Sequence, residues 1–233
     1  MRLKNLFLIA MLCATLSAGA QQVRLGEMTR VKTDGPAYHP SFTNDGMSIL
    51  TSSEDYIGLK ETNLATGETR ILSTERRAGL KTFRQDASKG KTVNGVDLKI
   101  NIVDGSTVTT LTPNGDNERY LWPALSPDAT KVAYTVSGKG SYVYDISTGS
   151  VSFIGKYRAP QWIDNDYVVV MNDRDDGYQI TGSTVLVCAA SGSFAQEVTP
   201  GDMIAMFPSA MPGKIAFHTL EGEIYILDIT ITK

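Results

Sequence analysis

The sequence predicts an all-β protein, a β-propeller of five four-stranded blades. The first observation behind this prediction is a series of short strand-like runs separated by turn residues, clearest between Tyr120 and Gly149. The second is that the same series recurs about every forty residues, which is the length of a propeller blade. The third is an extra strand-like segment near the N-terminus, residues 26–31, which can complete the last blade.

The clearest repeat contains three strands and two turns. Residues 121–125 lead into the turn Ser126-Pro127-Asp128, where proline presets φ and aspartate can accept hydrogen bonds from the nearby backbone. The next run, Lys131–Val136, is rich in β-branched and aromatic residues, as strands are. After a glycine turn, residues 141–146 form the third predicted strand.

A second segment, residues 37–67, aligns with this repeat almost without gaps. The matched positions are Pro40 with Pro123, Thr43 with Ser126, Asp45 with Asp128, and Gly67 with Gly149. Weaker copies contain Pro160 and Pro208. The segment 80–105 is the most degenerate copy, because it lacks both the proline and the turn.

One more strand-like run follows each closing glycine, so a complete repeat has four strands. The last repeat ends without its fourth run, and residues 26–31 resemble the fourth strand of the first repeat. We therefore expect the N-terminal strand to complete the C-terminal blade and close the ring, which leaves no unpaired edge at the seam. The alternative is an open or sandwich-like all-β arrangement; a sixth blade would need a repeat that the sequence does not show.

The first twenty residues have the pattern of a secretory signal peptide. A basic start with Arg2 and Lys4 precedes an apolar run that is short for a membrane span, and Ala18-Gly19-Ala20 forms a small-residue cleavage site. The domain prediction is therefore a cleaved leader, 1–20, followed by one propeller domain, 21–233. A retained N-terminal anchor is the alternative.

After cleavage Cys188 is the one remaining cysteine, so no intramolecular disulfide can form, and we expect a periplasmic or extracellular protein.

The charge of the chain argues against two classes of partner. The formal net charge is −3, and the sequence has no basic cluster of the kind that nucleic acids and anionic membrane surfaces require. We therefore expect neither nucleic-acid binding nor membrane insertion after the leader is removed.

The repeat resembles that of a known family. The motif Pro-x-apolar-Ser-Pro-Asp followed by a strand, best matched at residues 123–128 and next at residues 40–45, is similar to the WD-like repeat of TolB-like propellers. Residues 172–177 resemble the Ser-Asp-Arg-Asp-Gly hairpin of the same family. The resemblance covers about residues 26–233 and implies a stand-alone propeller without the additional N-terminal domain of TolB. It concerns the fold and implies no reaction.

The sequence offers little for catalysis. The two histidines, His39 and His218, are the available bases for a catalytic triad, and no Gly-x-Ser-x-Gly elbow is present. No Cys/His cluster indicates a metal site, and Asp173, Asp175 and Asp176 lack the order of a calcium loop. The predicted innermost strands carry no carboxylates of the kind that glycosidases use. We expect no catalytic residues, no metal and no cofactor.

Binding is the better-supported class of function. If every innermost strand begins at the same end of the ring, the residues that precede each blade proline surround one mouth of the channel, and the hairpins between the second and third strands emerge at the same end. The predicted binding residues are Tyr38, His39, Tyr120, Trp122, Tyr157, Arg158, Tyr178 and Phe207. Converging aromatic side chains suit a peptide, a glycan or a protein loop. The alternative is that the aromatic residues are wedges between blades, above all Trp122 and Phe207.

Two functional hypotheses follow. In the first, the protein is an exported, non-catalytic propeller that binds a protein, peptide or glycan in the bacterial cell envelope. In the second, it is a small five-bladed hydrolase or lyase that acts on a polysaccharide or a peptide. Paired carboxylates at the channel mouth would favour the second hypothesis.

Overall fold

The computed structural model describes residues 21–83 and 90–232, so the predicted leader lies outside the described residues. These residues form five antiparallel sheets arranged as a ring, and the predicted five-bladed β-propeller is confirmed. No helix in the described ranges has the length and apolar character needed to cross a membrane.

The blades follow one another in chain order, and in blades 1, 3, 4 and 5 the first strand is the innermost; the three described strands of blade 2 correspond to the second, third and fourth strands of the others. Blade 1 contains β2 (Tyr38–Phe42), β3 (Ser48–Ser52), β4 (Leu59–Asn63) and β5 (Thr69–Ser73). Blade 2 contains β6 (Lys91–Val96), β7 (Lys99–Asp104) and β8 (Thr107–Leu111). Blade 3 contains β9 (Tyr120–Leu125), β10 (Lys131–Val136), β11 (Gly140–Asp145) and β12 (Val151–Gly155). Blade 4 contains β13 (Arg158–Trp162), β14 (Tyr167–Asp175), β15 (Ile180–Ala189) and β16 (Ala195–Glu197). Blade 5 contains β17 (Ala205–Met211), β18 (Lys214–Thr219), β19 (Ile224–Thr232) and the N-terminal strand β1 (Gln22–Arg30).

The ring is closed by its N-terminal strand, as predicted. β1 pairs antiparallel with β19 along its whole length, from Gln22 opposite Thr232 to Arg30 opposite Tyr225. Val23 is the anchor of this strand, because its side chain is 2% exposed and packs in the core shared by blades 4 and 5. The strand begins earlier than the predicted segment 26–31, and a bulge between Leu25 and Met28 explains why its alternation is hard to recognise in the sequence.

The repeated turns have matching hydrogen bonds in the two clear repeats. Asp128 Oδ1 accepts from Ser126 Oγ at 2.6 Å and from the backbone N–H of Thr130 at 3.1 Å. In blade 1, Asp45 Oδ1 accepts from Thr43 Oγ1 at 2.7 Å and from the backbone N–H of Met47 at 3.0 Å. The Ser/Thr-x-Asp turn by which the repeats were recognised is thus a connection between the first and second strands that side-chain hydrogen bonds stabilise.

The blade prolines mark a bulge. In each blade that contains one, the proline and the residue before it lie opposite a single residue of the second strand, which is the two-against-one pairing of a β-bulge. The residue before the proline has a positive φ in all four cases. These residues are His39 (φ 53), Trp122 (φ 49), Ala159 (φ 50) and Phe207 (φ 45). Proline has no N–H to donate and is tolerated at such an edge position.

Blade 2, whose repeat is the most degenerate in the sequence, departs from the predicted four strands. Among the described residues it contributes three strands, and a short 3₁₀ helix, Ala78–Phe83, precedes it. The helix packs against blade 1, where the N–H of Gly79 donates to the Tyr56 carbonyl at 3.0 Å. The close approach requires glycine, because a Cβ at this position would lie 2.4 Å from Ser52 Cβ.

Candidate binding site at the hairpin face

One end of the ring carries the turns between the second and third strands of the blades. We call it the hairpin face, and its turns are residues 53–58, 97–98, 137–139, 176–179 and 220–223. Four of these five turns expose a large apolar or aromatic side chain. These side chains belong to Ile57, Leu98, Tyr178 and Leu220. Recurrent exposure of such side chains at one end is typical of an interaction surface.

The axis of the propeller is filled at this end by an aromatic cluster. We call it the axial cluster; its members are Tyr38, His39, Tyr56, Trp122, Phe207 and His218. Trp122 of blade 3 contacts Phe207 of blade 5 with ring centroids 6.2 Å apart. Since blades 3 and 5 are not neighbours in the ring, this contact crosses the axis.

The bulges explain how these side chains come together. A bulge turns the side chain of its extra residue away from the regular alternation of the strand. His39, Trp122 and Phe207 occupy this position in blades 1, 3 and 5, and all three belong to the axial cluster. Backbone strain of this kind is stored where the surrounding structure enforces it, often at binding sites. The strained residues here are the ones that close the channel.

Both histidines serve as buried, neutral aromatic groups. His39 is 4% exposed and stacks on Tyr56 with a centroid distance of 3.9 Å, while His218 is 2% exposed and stacks on Phe207 at 5.6 Å. Burial lowers the pKa of His39 to about 3, helped by the proximity of His218, and burial lowers the pKa of His218 to about 4. Neither ring is therefore charged at neutral pH, and neither is accessible to a substrate.

Each ring makes a buried hydrogen bond through Nδ1. His39 Nδ1 lies 3.0 Å from Ser52 Oγ. His218 Nδ1 donates to the Thr219 carbonyl at 2.9 Å. The second nitrogen of His218, Nε2, is buried and has no hydrogen-bond partner among the described residues. This nitrogen cannot act as a base toward solvent, because solvent does not reach it.

Beside the axial cluster lies a cavity of about 400 Å³. We call it the axial cavity. Its walls come from blade 1, the 3₁₀ helix, blade 2, blade 3 and blade 4. The lining residues are Tyr56, Leu80, Val93, Asn94, Gly95, Leu98, Tyr120, Leu121, Trp122, Pro123 and Gln161. The cavity lies where the other blades have an innermost strand and the described residues of blade 2 have none.

The axial cavity is apolar with two amide groups. Among the described residues that line it, none is charged, and Asn94 and Gln161 are the side-chain amides. Asn94 Oδ1 is buried and has no hydrogen-bond partner among the described residues. An apolar, aromatic-lined concavity with a few amide groups is the usual composition of a binding pocket. Among the described residues of the lining, the titratable groups are the phenols of Tyr56 and Tyr120, and burial raises the pKa of both further above neutrality, away from the range in which a general acid or base works best.

Tyr120 and Tyr157 were predicted at the mouth. The structure packs both rings against the cores between blades, and Tyr120 also lines the axial cavity. They lie two residues before the bulge, a position that Ala37 and Ala205 occupy in blades 1 and 5; the position is buried at Ala37, Tyr120 and Ala205 and partly buried at Tyr157. Tyr120 is 1% exposed, and its hydroxyl accepts from the Asn114 N–H and donates to the Gly115 carbonyl. The ring of Tyr157 lies against Gly155 at the end of β12 and packs on the core between blades 3 and 4.

The remaining predicted residues lie at the hairpin face. Tyr38 and His39 are in the axial cluster with Trp122 and Phe207. Trp122 and Phe207 contact each other across the axis, which differs from the alternative that each is a wedge between neighbouring blades. Arg158 is half-exposed and forms an ion pair at 2.8 Å with Asp173, whose side chain is 4% exposed. Tyr178 lies at the tip of the β14–β15 hairpin.

Several residues of this site have no recognisable signal in the sequence. Leu80 belongs to a segment with no recognisable repeat, and Asn94 and Leu98 belong to the degenerate blade 2. His218 was considered only as a catalytic base. Gln161 follows Pro160, so a prediction limited to the residues that precede the blade prolines did not include it.

A second cavity, of about 460 Å³, lies at the outer part of the ring between blades 3 and 4. Its polar groups are already engaged in the local structure. Lys131 Nζ donates to the Asn165 carbonyl at 2.9 Å, and Asp145 Oδ1 accepts from the N–H groups of Ser147 and Thr148. Hydrogen bonds from Ser147 and Thr148 lower the pKa of Asp145 to about 2. Because hydrogen bonds of the local turns already occupy its polar groups, this second cavity is a weaker candidate for a binding site than the axial cavity.

Comparison with solved structures confirms the fold. The β-propeller domain of Swd1 from Myceliophteria thermophila superposes with a TM-score of 0.53 at 9% identity, over 89% of this chain and 100% of that domain. The similarity lies in the fold. TolB from Agrobacterium tumefaciens, described as putative, gives a TM-score of 0.46 at 16% identity, over 88% of this chain and 80% of that one. The five-bladed fold that the repeat's resemblance to TolB-like propellers implied is the one that the sheet order shows.

A third similar structure is an enzyme, an oligogalacturonate lyase in complex with manganese. It gives a TM-score of 0.42 at 14% identity, over 86% of this chain and 67% of that one. In the ranges that the structure describes, no group of three His, Cys, Asp or Glu side chains is arranged to hold a metal ion. No protein-family model matches the sequence, and a search of curated proteins gives no match.

Proposed function

We propose that this protein is an exported, non-catalytic β-propeller that binds a partner in the bacterial cell envelope through its hairpin face. The observation that carries the proposal is the axial cavity. It is concave, apolar and aromatic, and it adjoins the strained residues that close the channel. Exposed side chains on four surrounding turns extend the apolar surface beyond the cavity.

The chemistry of the cavity favours a protein or peptide partner over a glycan. Five aliphatic or proline side chains and three aromatic ones surround two amides. This composition suits an apolar side chain inserted from a partner, since the cores of protein interfaces are depleted of charge and enriched in aromatic residues. A glycan would need more polar groups than these walls provide.

A hydrolase or lyase is the alternative function. The cavity lining among the described residues supplies no carboxylate pair, and the two histidines are buried and neutral. Acid–base catalysis needs a titratable group within reach of the substrate. The arrangement therefore supports binding better than catalysis.

Export is proposed from the sequence of the leader. The basic start, the apolar run and the Ala18-Gly19-Ala20 site direct a protein across the inner membrane. A mature chain with the single, buried Cys188 needs no disulfide chemistry in that compartment.

The proposed function predicts that substitutions in the axial cavity weaken partner capture. The immobilised protein is incubated with envelope extract, and bound proteins are quantified. Trp122→Ala removes an aromatic wall, and Leu98→Asn removes apolar surface while keeping a residue that tolerates the positive φ of 60° at this position. We expect each variant to retain less than a tenth of the wild-type capture, because central apolar contacts dominate interface energies.

The matched control is Met47→Asn. Met47 is 66% exposed in the turn between β2 and β3, at the end of the ring opposite the hairpin face. Capture by this variant should equal that of the wild type. Equal capture by Trp122→Ala, Leu98→Asn and the wild type would remove the axial cavity from the proposal, and turnover of a peptide or an oligosaccharide by the purified protein would favour the enzymatic alternative.

A further inference from the structure

We infer that the β14–β15 hairpin of blade 4 is a docking arm that inserts Tyr178 into an apolar pocket bordered by lysine or arginine on a partner protein. The inference rests on the proposed binding function and adds a second contact region to it. In the axial cavity this protein receives a partner's side chain. At the docking arm it is this protein that supplies the side chain.

The hairpin extends beyond the blade. β14 and β15 contain 9 and 10 residues, whereas the corresponding strands of blade 1 contain 5 each and those of blade 3 contain 6 each. The additional cross-strand pairs run from Asn172 opposite Thr184 to Asp175 opposite Ile180. Residues 174–179 at its end are all exposed. The result is a two-stranded arm on the hairpin face.

The base of the arm is clamped between two blades. Asp173 pairs with Arg158 of the innermost strand at 2.8 Å. On the other strand, Ser183 Oγ donates to the Ala205 carbonyl of blade 5 at 2.6 Å. An arm held at both strands presents its tip in one position, which reduces the entropy that binding must overcome.

The tip has a fixed conformation as well. Asp176 Oδ1 accepts from the backbone N–H groups of Tyr178 and Gln179, both at 2.9 Å, and Asp175 Oδ1 accepts from the N–H of Gly177 at 3.0 Å. Each carboxylate uses one oxygen to hold the turn, and both side chains remain exposed with their negative charge. Gly177 has a φ of 91°, which glycine adopts without strain.

Packing within the described structure does not explain why a tyrosine stands at position 178. Its side chain is 99% exposed, far more than any other large apolar or aromatic side chain described for the chain. Tyrosine is enriched at interface hot spots, because it buries a large ring at a small entropic cost. The exposed tip carries two carboxylates, Asp175 and Asp176, and one cation, Arg174, whose guanidinium lies against Gly182. Negative charge therefore predominates beside the exposed ring and favours, by charge complementarity, a pocket with basic groups at its rim.

The test replaces Tyr178 with the photoreactive residue p-benzoylphenylalanine in the full-length protein. Irradiation in envelope extract should give a discrete adduct, and mass spectrometry should place the cross-link next to lysine or arginine in the partner. The same residue at Met47, on the opposite end, is the matched control and should give no such adduct. The captured partner is then purified for affinity measurements.

Three further variants measure the contributions of the tip. Tyr178→Ala should weaken binding about 30-fold, as loss of a hot-spot aromatic side chain does. Asp175→Asn with Asp176→Asn keeps the oxygens that hold the turn but removes both charges. This double variant should bind about tenfold more weakly at low salt and lose most of the salt dependence seen for the wild type. None of these exposed substitutions should change the melting temperature.

The outcomes separate the docking arm from the proposed function. If a partner is captured but Tyr178→Ala and the double Asn variant bind it as the wild type does, the docking arm is wrong and the proposed function stands. A cross-link to an acidic surface of the partner would also overturn the inference. If no position on the hairpin face captures any partner, the proposed function fails together with it.

Discussion

Lowering the pH from 7 to 5 should reduce the free energy of unfolding by about 4 kcal/mol, about 2 kcal/mol for each of the two buried histidines. Burial holds the pKa of His39 at about 3 and that of His218 at about 4, against about 6.5 in the unfolded chain. Between pH 6.5 and 4 the unfolded chain therefore binds protons that the folded protein does not. Their contribution to stability is fully present above pH 6.5 and is lost as the pH falls toward the folded pKa values.

Between pH 7 and 5 the two histidines dominate the pH dependence of the free energy of unfolding. The strongly lowered pKa of Asp145, about 2, places the titration of this carboxyl below the window. Urea unfolding at pH 7, 6 and 5 measures the change. His218→Asn keeps a donor for the Thr219 carbonyl and should abolish about half of the pH dependence. A constant free energy of unfolding over this range, or a histidine that titrates above pH 6 in the folded protein, would show that the axial cluster is hydrated.

The second large effect concerns ring closure. Val23→Asp should lower the free energy of unfolding by about 4 kcal/mol, because it removes a buried valine and places a carboxyl group in the apolar core of blades 4 and 5. Against a typical total stability of about 5–15 kcal/mol, such a change is severe. It should also release β1 from β19 and expose the edge of blade 5.

The neighbouring residue provides the control. Arg24→Asp lies on the same strand with its side chain exposed, and it should change stability by less than about 0.5 kcal/mol. Chemical denaturation of both variants gives the two free energies. Similar values for Val23→Asp and Arg24→Asp would mean that the N-terminal strand does not contribute to the closed ring.

The repeats allowed most of the fold to be predicted. The turn formed by Ser126 and Asp128 has a local chemical signature, so the blades that keep it were placed correctly, and the strand Lys131–Val136 was predicted with its observed bounds. Ring closure followed from counting strands. Blade 2 was the least certain part, because its first segment carries neither the proline nor the turn.

The candidate site was harder to predict for a geometric reason. A strand that alternates regularly would place Tyr120 and Trp122 on the same side, and both were expected at the mouth. The bulge at Trp122 and Pro123 changes their directions, so that Tyr120 is buried in the core between blades 2 and 3 and reaches the axial cavity from there, whereas Trp122 turns to the axis. A positive φ at a tryptophan before a proline has no sequence signature, since residues before proline generally favour extended conformations.

Contacts between distant blades could not be predicted from the sequence either. The pairing of Trp122 with Phe207 depends on the number of blades and on the diameter of the ring. One wall of the axial cavity comes from the 3₁₀ helix Ala78–Phe83, which the sequence did not predict. Each repeat predicts its own strands, but it does not predict which side chains from different repeats meet at the axis.

The central claim is that the hairpin face is the binding face, and amide hydrogen exchange on the complex with the captured partner tests it most directly. The account predicts slower exchange in the turns at residues 53–58, 97–98 and 176–179 when the partner is bound. Exchange in the turns at the opposite end, residues 43–47 and 146–150, should be unchanged. Protection confined to the opposite turns, with the hairpin-face turns exchanging as in the free protein, would contradict the account.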